Sequence, residues 1–182
     1  MTTKGRLLVA TPTLLDPNFF RTVVLMLEHS DEGAVGVILN RPSELEIAET
    51  LPAWLAVAAE PAMVFVGGPV SPESAIGLAR GHGDAGTDVW APVVNGLGTV
   101  DLALAPEELP VDVTRLRVFA GYAGWMAGQL DAELAADGWI ALDAEADDAF
   151  AAEPTELWKA VLRRQGGTLA LFANAPTHPS LN

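Results

Sequence analysis

Cysteine is absent from these 182 residues, which excludes a disulfide framework, a thiolate metal site and a cysteine nucleophile. The expected compartment is therefore the cytoplasm. Histidine is scarce too: His29, His82 and His178 fall at a strand end, in a glycine-rich stretch and in the tail, and no serine stands in G-x-S-x-G. A hydrolytic triad has no support. No apolar run approaches the roughly 20 residues that span a bilayer, and the start MTTKGRLLVATP lacks the pattern of a signal peptide, so no membrane association is expected. Positive charge is missing over a long stretch. From Val118 to Trp158 there is no Lys or Arg, while nine carboxylates accumulate: Asp131, Glu133, Asp137, Asp143, Glu145, Asp147, Asp148, Glu153 and Glu156. With a net charge of -14 the surface repels a polyanion, so direct nucleic-acid binding is not expected; the acidic stretch reads as a solubilising face.

What is present is a chain half hydrophobic by count, long enough to bury a sizeable core as a single domain over 1–182. Short apolar runs bounded by Gly, Pro or polar turns predict strands at Leu7–Ala10, Thr22–His29, Ala34–Asn40, Met63–Val66, Thr99–Leu104, Leu116–Ala120, Trp139–Leu142 and Thr168–Phe172. Helices are predicted over Glu44–Leu51, Trp125–Ala136 and Thr155–Arg164, the last stopping at Gly166-Gly167. Gly77–Gly98 reads as a surface loop or irregular hairpin. The pattern favours an α+β fold with a mixed sheet, possible strong curling included, over a regular doubly wound one.

The block from Gly5 to Pro42 allows a geometric step. Ser30-Asp31-Glu32-Gly33 separates two apolar strands and predicts an antiparallel hairpin. Pairing His29 with Ala34 sets Val23 opposite Asn40 and Arg21 opposite Pro42, making Arg21 and Asn40 diagonal neighbours roughly 7 Å apart on one face. A bulge at Gly33 would shift that register by one and put Arg41 on the face of Arg21 instead. Glu28 and His29, roughly 25 Å away at about 3.3 Å per residue, point to opposite faces and make a poor acid/base couple.

The runs G-R-L-L-V-A-T-P, D-P-N-F-F-R-T-V-V-L-M-L-E-H, G-A-V-G-V-I-L-N-R-P, V-F-V-G-G-P-V and F-A-G-Y-A-G-W-M-A-G-Q-L-D-A-E-L occur in this order. They resemble the YqgE/AlgH family of largely uncharacterised bacterial proteins. The resemblance implies a single α+β domain whose mainly antiparallel sheet is folded into a pseudo-barrel flanked by a few helices. One branch of that family carries the label of transcriptional regulator.

The candidate binding set is Arg21, Asn40, Arg41, Gly67, Gly68, Gly121, Tyr122 and Trp125, expected to line one pocket for a small anionic ligand or a protein segment. The competing reading is structural. Arg21 would pair with a carboxylate such as Asp16, Asn40 to Pro42 would form a turn, and the glycines would permit close packing. Gly121, Gly124 and Gly128 match neither G-x-G-x-x-G nor a P-loop. Asp143, Glu145 and Asp147 alternate as in a calcium loop, but Asp148 and Pro154 stand where that loop needs Gly and Glu. No catalytic residue, metal ligand or cofactor is thus expected, and the favoured function is a non-catalytic binding or regulatory module. The alternatives are a transcriptional regulator and an enzyme of unknown reaction.

Overall fold

The computed structural model describes residues 2–82 and 87–176, so His178 and part of the glycine-rich stretch after His82 lie outside the described residues. Among the described residues ten strands form one sheet. They are β1 (Arg6–Ala10), β2 (Val23–Ser30), β3 (Gly33–Ile38), β4 (Pro42–Glu46), β5 (Met63–Val66), β6 (Val70–His82), β7 (Trp90–Val94), β8 (Leu97–Val100), β9 (Asp112–Met126) and β10 (Trp139–Asp143). The main path runs β10-β1-β2-β3-β9-β6-β8-β7, with β5 joining β4 to β9. All pairings are antiparallel except β5 with β9, and the sheet is strongly curled into a half-barrel.

The unbroken apolar runs of β1 and β2 have a simple cause: both faces are buried. Leu7, Val9, Val23 and Leu25 enter one core with Phe65, Phe119, Trp158 and Val161. Their alternates Leu8, Ala10, Val24 and Met26 enter a second with Trp125, Leu130 and Trp139, as the two-residue period of a strand requires. A third core, around Trp54, Trp90 and Leu116, lies under β6 and β8.

Strand β9 organises the rest. One edge pairs with β6 from Asp112 to Tyr122, and the other pairs first with β5 at Val118–Ala120 and then with β3 at Ala123–Met126. The predicted strand Leu116–Ala120 is therefore only its middle. Its glycines read as a turn, yet Gly121 (φ 72°) sits inside the strand because a Cβ there would stand 2.5 Å from the Gly68 carbonyl. The helix predicted from Trp125 accordingly begins only at α2 (Gln129–Ala135), after the strand ends at Met126.

Other differences have local reasons. Residues 42–46 are strand β4, and only one turn of helix follows, α1 (Ile47–Thr50). The run Thr168–Phe172 is helical, part of a short helix over Gly167–Phe172, since a short apolar run cannot be assigned by periodicity alone. Helix α3 (Leu157–Gln165) matches its expectation, burying Leu157, Trp158, Val161 and Leu162 and ending at Gly166; the next helix is α4. Gly77–Gly98 holds most of a hairpin, β7 and β8 joined at Asn95-Gly96, and the end of β6.

The β2–β3 register holds His29 opposite Ala34 as expected, but an extra residue at Leu27 shifts the remainder, giving Val24 opposite Ile38. Val23 thus meets Leu39 rather than Asn40: its carbonyl accepts from the Leu39 N–H at 2.8 Å. The bulge lies in the strand, not at Gly33.

Candidate functional site

Most of the residues singled out from sequence form one continuous belt, linked through the backbone. Asn40 bridges two strands' ends, its Nδ2 donating to the Arg21 carbonyl (2.9 Å) and its Oδ1 accepting from the Val23 N–H (3.0 Å). The Arg41 carbonyl accepts from Val66 N–H at 2.7 Å, the Gly67 carbonyl accepts from Ile38 N–H at 2.8 Å, and Gly67 N–H donates to Ala120 at 2.9 Å. Gly67 and Gly68 are packed so closely on Gly121 and Tyr122 that a Cβ at either would overlap backbone atoms. Trp125 stands further along β9, opposite Ala34.

The two arginines of this belt act locally. Arg41 donates to the carbonyls of Pro17 (3.0 Å), Asn18 (2.6 Å) and Phe20 (3.1 Å), tying down the turn before β2. Burial pushes its guanidinium below the usual arginine range, against the pull of Asp16. Arg21 adopts a left-handed backbone (φ 55°), which is strained for a non-glycine residue. Its guanidinium lies 4.7 Å from the Trp158 ring centroid and donates to the Ala175 carbonyl, while its buried Nε has no partner among the described residues.

Ala175 belongs to a feature that sequence reasoning missed. A groove of about 580 Å³ is lined by Trp139, Ile140, Leu169, Phe172 and Ala175, with the hydroxyls of Thr11 and Thr13 and with Pro12 and Asp137. It lies between the end of β1, the start of β10 and α4. The Leu169 and Phe172 spacing, three apart, was the available signal, hidden by the strand assignment. Trp158 connects groove and belt, because its Nε1–H donates to the Ala10 carbonyl (2.8 Å) beneath Arg21.

Beside the groove, Phe19, Trp125 and Trp139 pack with ring centroids 5.5 to 6.2 Å apart. Glu133 accepts from both indole N–H groups, at 2.7 Å from Trp125 and 3.0 Å from Trp139. Trp139 is thus held in one orientation while it lines the groove.

A second missed group is Arg117, 2% exposed. It lies over Phe65 (4.3 Å) and donates to the carbonyls of Glu60 (2.7 Å), Ala149 (3.3 Å) and Ala151 (3.0 Å). Burial, then Arg115, pushes it down to about 10, still charged at neutral pH. A lone cation inside the run Leu116 to Phe119 was its sequence signal. Around it the acidic stretch is engaged by cations: Asp147 pairs with Arg80 (2.8 Å) and Arg115 (3.2 Å), and Asp148 pairs with Arg164 (2.6 Å), raising the Arg164 guanidinium. Asp147 stays 78% exposed while bridging the two strand arginines, whereas Asp148 is buried against Arg164 of α3, so this part of the acidic stretch is also a strap.

Among the described residues no group of three or more His, Asp or Glu is placed to hold a metal, and no helix is long and apolar enough to cross a membrane.

The AlgH-like family model matches residues 7–170. A UPF0301 protein of Streptomyces avermitilis is 48% identical, over 98% of this chain and 94% of that one. The crystal structure of protein DIP2367 from Corynebacterium diphtheriae superimposes with a TM-score of 0.88 at 31% identity, covering 95% of this chain and 92% of that one. The solution structure of AlgH from Pseudomonas aeruginosa, also a UPF0301 protein, gives 0.70 at 29%, covering 97% and 95%. By a match that runs from β1 into α4, this chain belongs to the AlgH-like family.

Proposed function

We propose that this protein is a non-catalytic binding module of the cytoplasm, and that its ligand is a small, mainly apolar molecule carrying one anionic group. The observation that carries the reading is the groove beside α4. Its volume of about 580 Å³ lies in the range of small-molecule sites, and its lining is mainly apolar, with four large apolar side chains beside Thr11, Thr13 and the carboxylate of Asp137 at the edge that the ligand's anionic group must avoid. Arg21 supplies the anionic preference: it stands behind the groove wall, its guanidinium donating to the carbonyl of the groove residue Ala175, and among the described residues its buried Nε has no partner. Asn40, Arg41, Gly67, Gly68, Gly121 and Tyr122 support that corner through the backbone belt, and Trp125 supports Trp139.

The test is a thermal-shift and calorimetric titration with a medium-chain fatty acid below its micelle concentration, beside the matching alcohol. The acid is expected to stabilise the protein and bind more tightly than the alcohol. Leu169→Asp should abolish both, and Arg21→Gln should remove the preference for the acid. Absence of binding by either compound at millimolar concentration, or binding untouched by Leu169→Asp, contradicts the reading.

A further inference from the structure

The turn end of the first hairpin carries a different device, on residues separate from the groove. The His29 side chain is 6% exposed, and its Nδ1 accepts the Thr3 backbone N–H at 3.1 Å, with Thr3 Oγ1 2.9 Å away. A backbone N–H can only donate, so this nitrogen must be an unprotonated acceptor; the ring is neutral with its proton on Nε2. That nitrogen faces Asp131 Oδ1 on α2 at 3.6 Å, beyond hydrogen-bond range, across a cavity of about 280 Å³ shared with Thr2, Ser30 and Asp31. The contact thus holds two elements of unequal kind: the residues preceding β1 by a hydrogen bond, and α2 by proximity alone.

Among the described residues the surrounding groups are few. Glu28, next in the strand, is paired with Lys4 at 2.8 Å; Asp31 comes from the turn and Asp131 from α2. The Thr2 hydroxyl donates to the His29 carbonyl (3.2 Å) and accepts from the Lys4 N–H (3.1 Å), so the segment is clipped to this one residue at several points. The order hydroxyl, imidazole, carboxylate has the layout of a nucleophile relay, but the Thr3 hydroxyl shares its ring nitrogen with a backbone N–H and Thr3 is buried. Metal ligation by Nε2 would require the proton to move to Nδ1, where the Thr3 N–H already points.

We propose that His29 is a proton-operated latch for the N-terminal segment: uptake of one proton on Nδ1 breaks the Thr3 N–H bond and draws the ring toward Asp131. The proton comes from solvent and both ring nitrogens become donors. The new Nδ1–H turns to the Thr3 hydroxyl oxygen, 2.9 Å away, so the hold on Thr3 passes from its backbone N–H to its side chain while the attraction to Asp131 and Asp31 grows. Histidine side chains as a class change charge between about pH 5 and 8, which sets the interval for the test.

The experiment is amide hydrogen exchange by NMR on the full chain across that interval, with rates corrected for intrinsic pH dependence. The Thr3 protection factor is expected to fall roughly five- to tenfold as the His29 ring protonates, the worth of one hydrogen bond, while amides of β2 and β9 stay protected. His29→Asn keeps an acceptor near the Nδ1 position without a titrating group, so its Thr3 protection should not change with pH. Constant Thr3 protection through the His29 titration, loss only together with the core amides, or the same pH dependence in His29→Asn would each overturn the latch.

Discussion

Single residues carry more of this structure than their chemistry suggests from the chain alone. Arg117 joins three carbonyls from two segments to the middle of β9, so removing it leaves three acceptors without a donor. Arg117→Met conserves much of the volume yet should cost about 3 kcal/mol, since buried acceptors lose their donor. Thermal denaturation should show a fall in Tm of roughly 6–12 °C; an unchanged Tm would assign the carbonyls another source of satisfaction. The arginines of the opening block were legible as unusual because they stand at strand ends. Their partners were not legible, because backbone carbonyls such as those of Pro17 and Ala175 leave no mark in a sequence.

Among the elements, β9 shows where pattern reading stops. Its apolar centre was visible, but Gly121 and Gly124 hid the continuation, because a strand that crosses another at close approach and a turn use the same residue. Gly121→Ala should therefore act on the whole crossing of β5, β6 and β9: the methyl meets the Gly68 carbonyl in a left-handed backbone. Little soluble folded protein is expected on expression, and a variant with wild-type Tm would contradict this geometry. The α4 misassignment has a functional consequence, since as a strand Leu169 and Phe172 would point to opposite faces, whereas as a helix they line one groove. The strap at 143–151 is held by Asp147 and Asp148 as well as Arg117. Asp148→Ala should speed exchange of amides in that strap, read by mass spectrometry, while leaving β1 and β2 protected; equal protection in variant and wild type would count against the strap.

The whole molecule combines a net charge of -14 with internal use of its cations. Of ten Lys and Arg, eight are engaged: Lys4, Arg6, Arg80, Arg115 and Arg164 with carboxylates, and Arg21, Arg41 and Arg117 with carbonyls. The purified protein should accordingly leave the mobility of duplex DNA unchanged at about 100 mM salt; a tight, sequence-selective shift would restore the regulator reading. The strand pattern admitted a curled sheet, but its folding into a pseudo-barrel was expected from family likeness, because closure depends on long-range pairings such as β1 with β10 that no local motif encodes. For the same reason the groove, assembled from both ends of the chain, was invisible in the sequence. The most direct test of its role is an NMR titration of the full chain with the medium-chain fatty acid. Perturbed resonances should converge on Thr11, Thr13, Ile140, Leu169 and Phe172; no perturbation at millimolar ligand, or a set centred elsewhere, would contradict the proposed binding site.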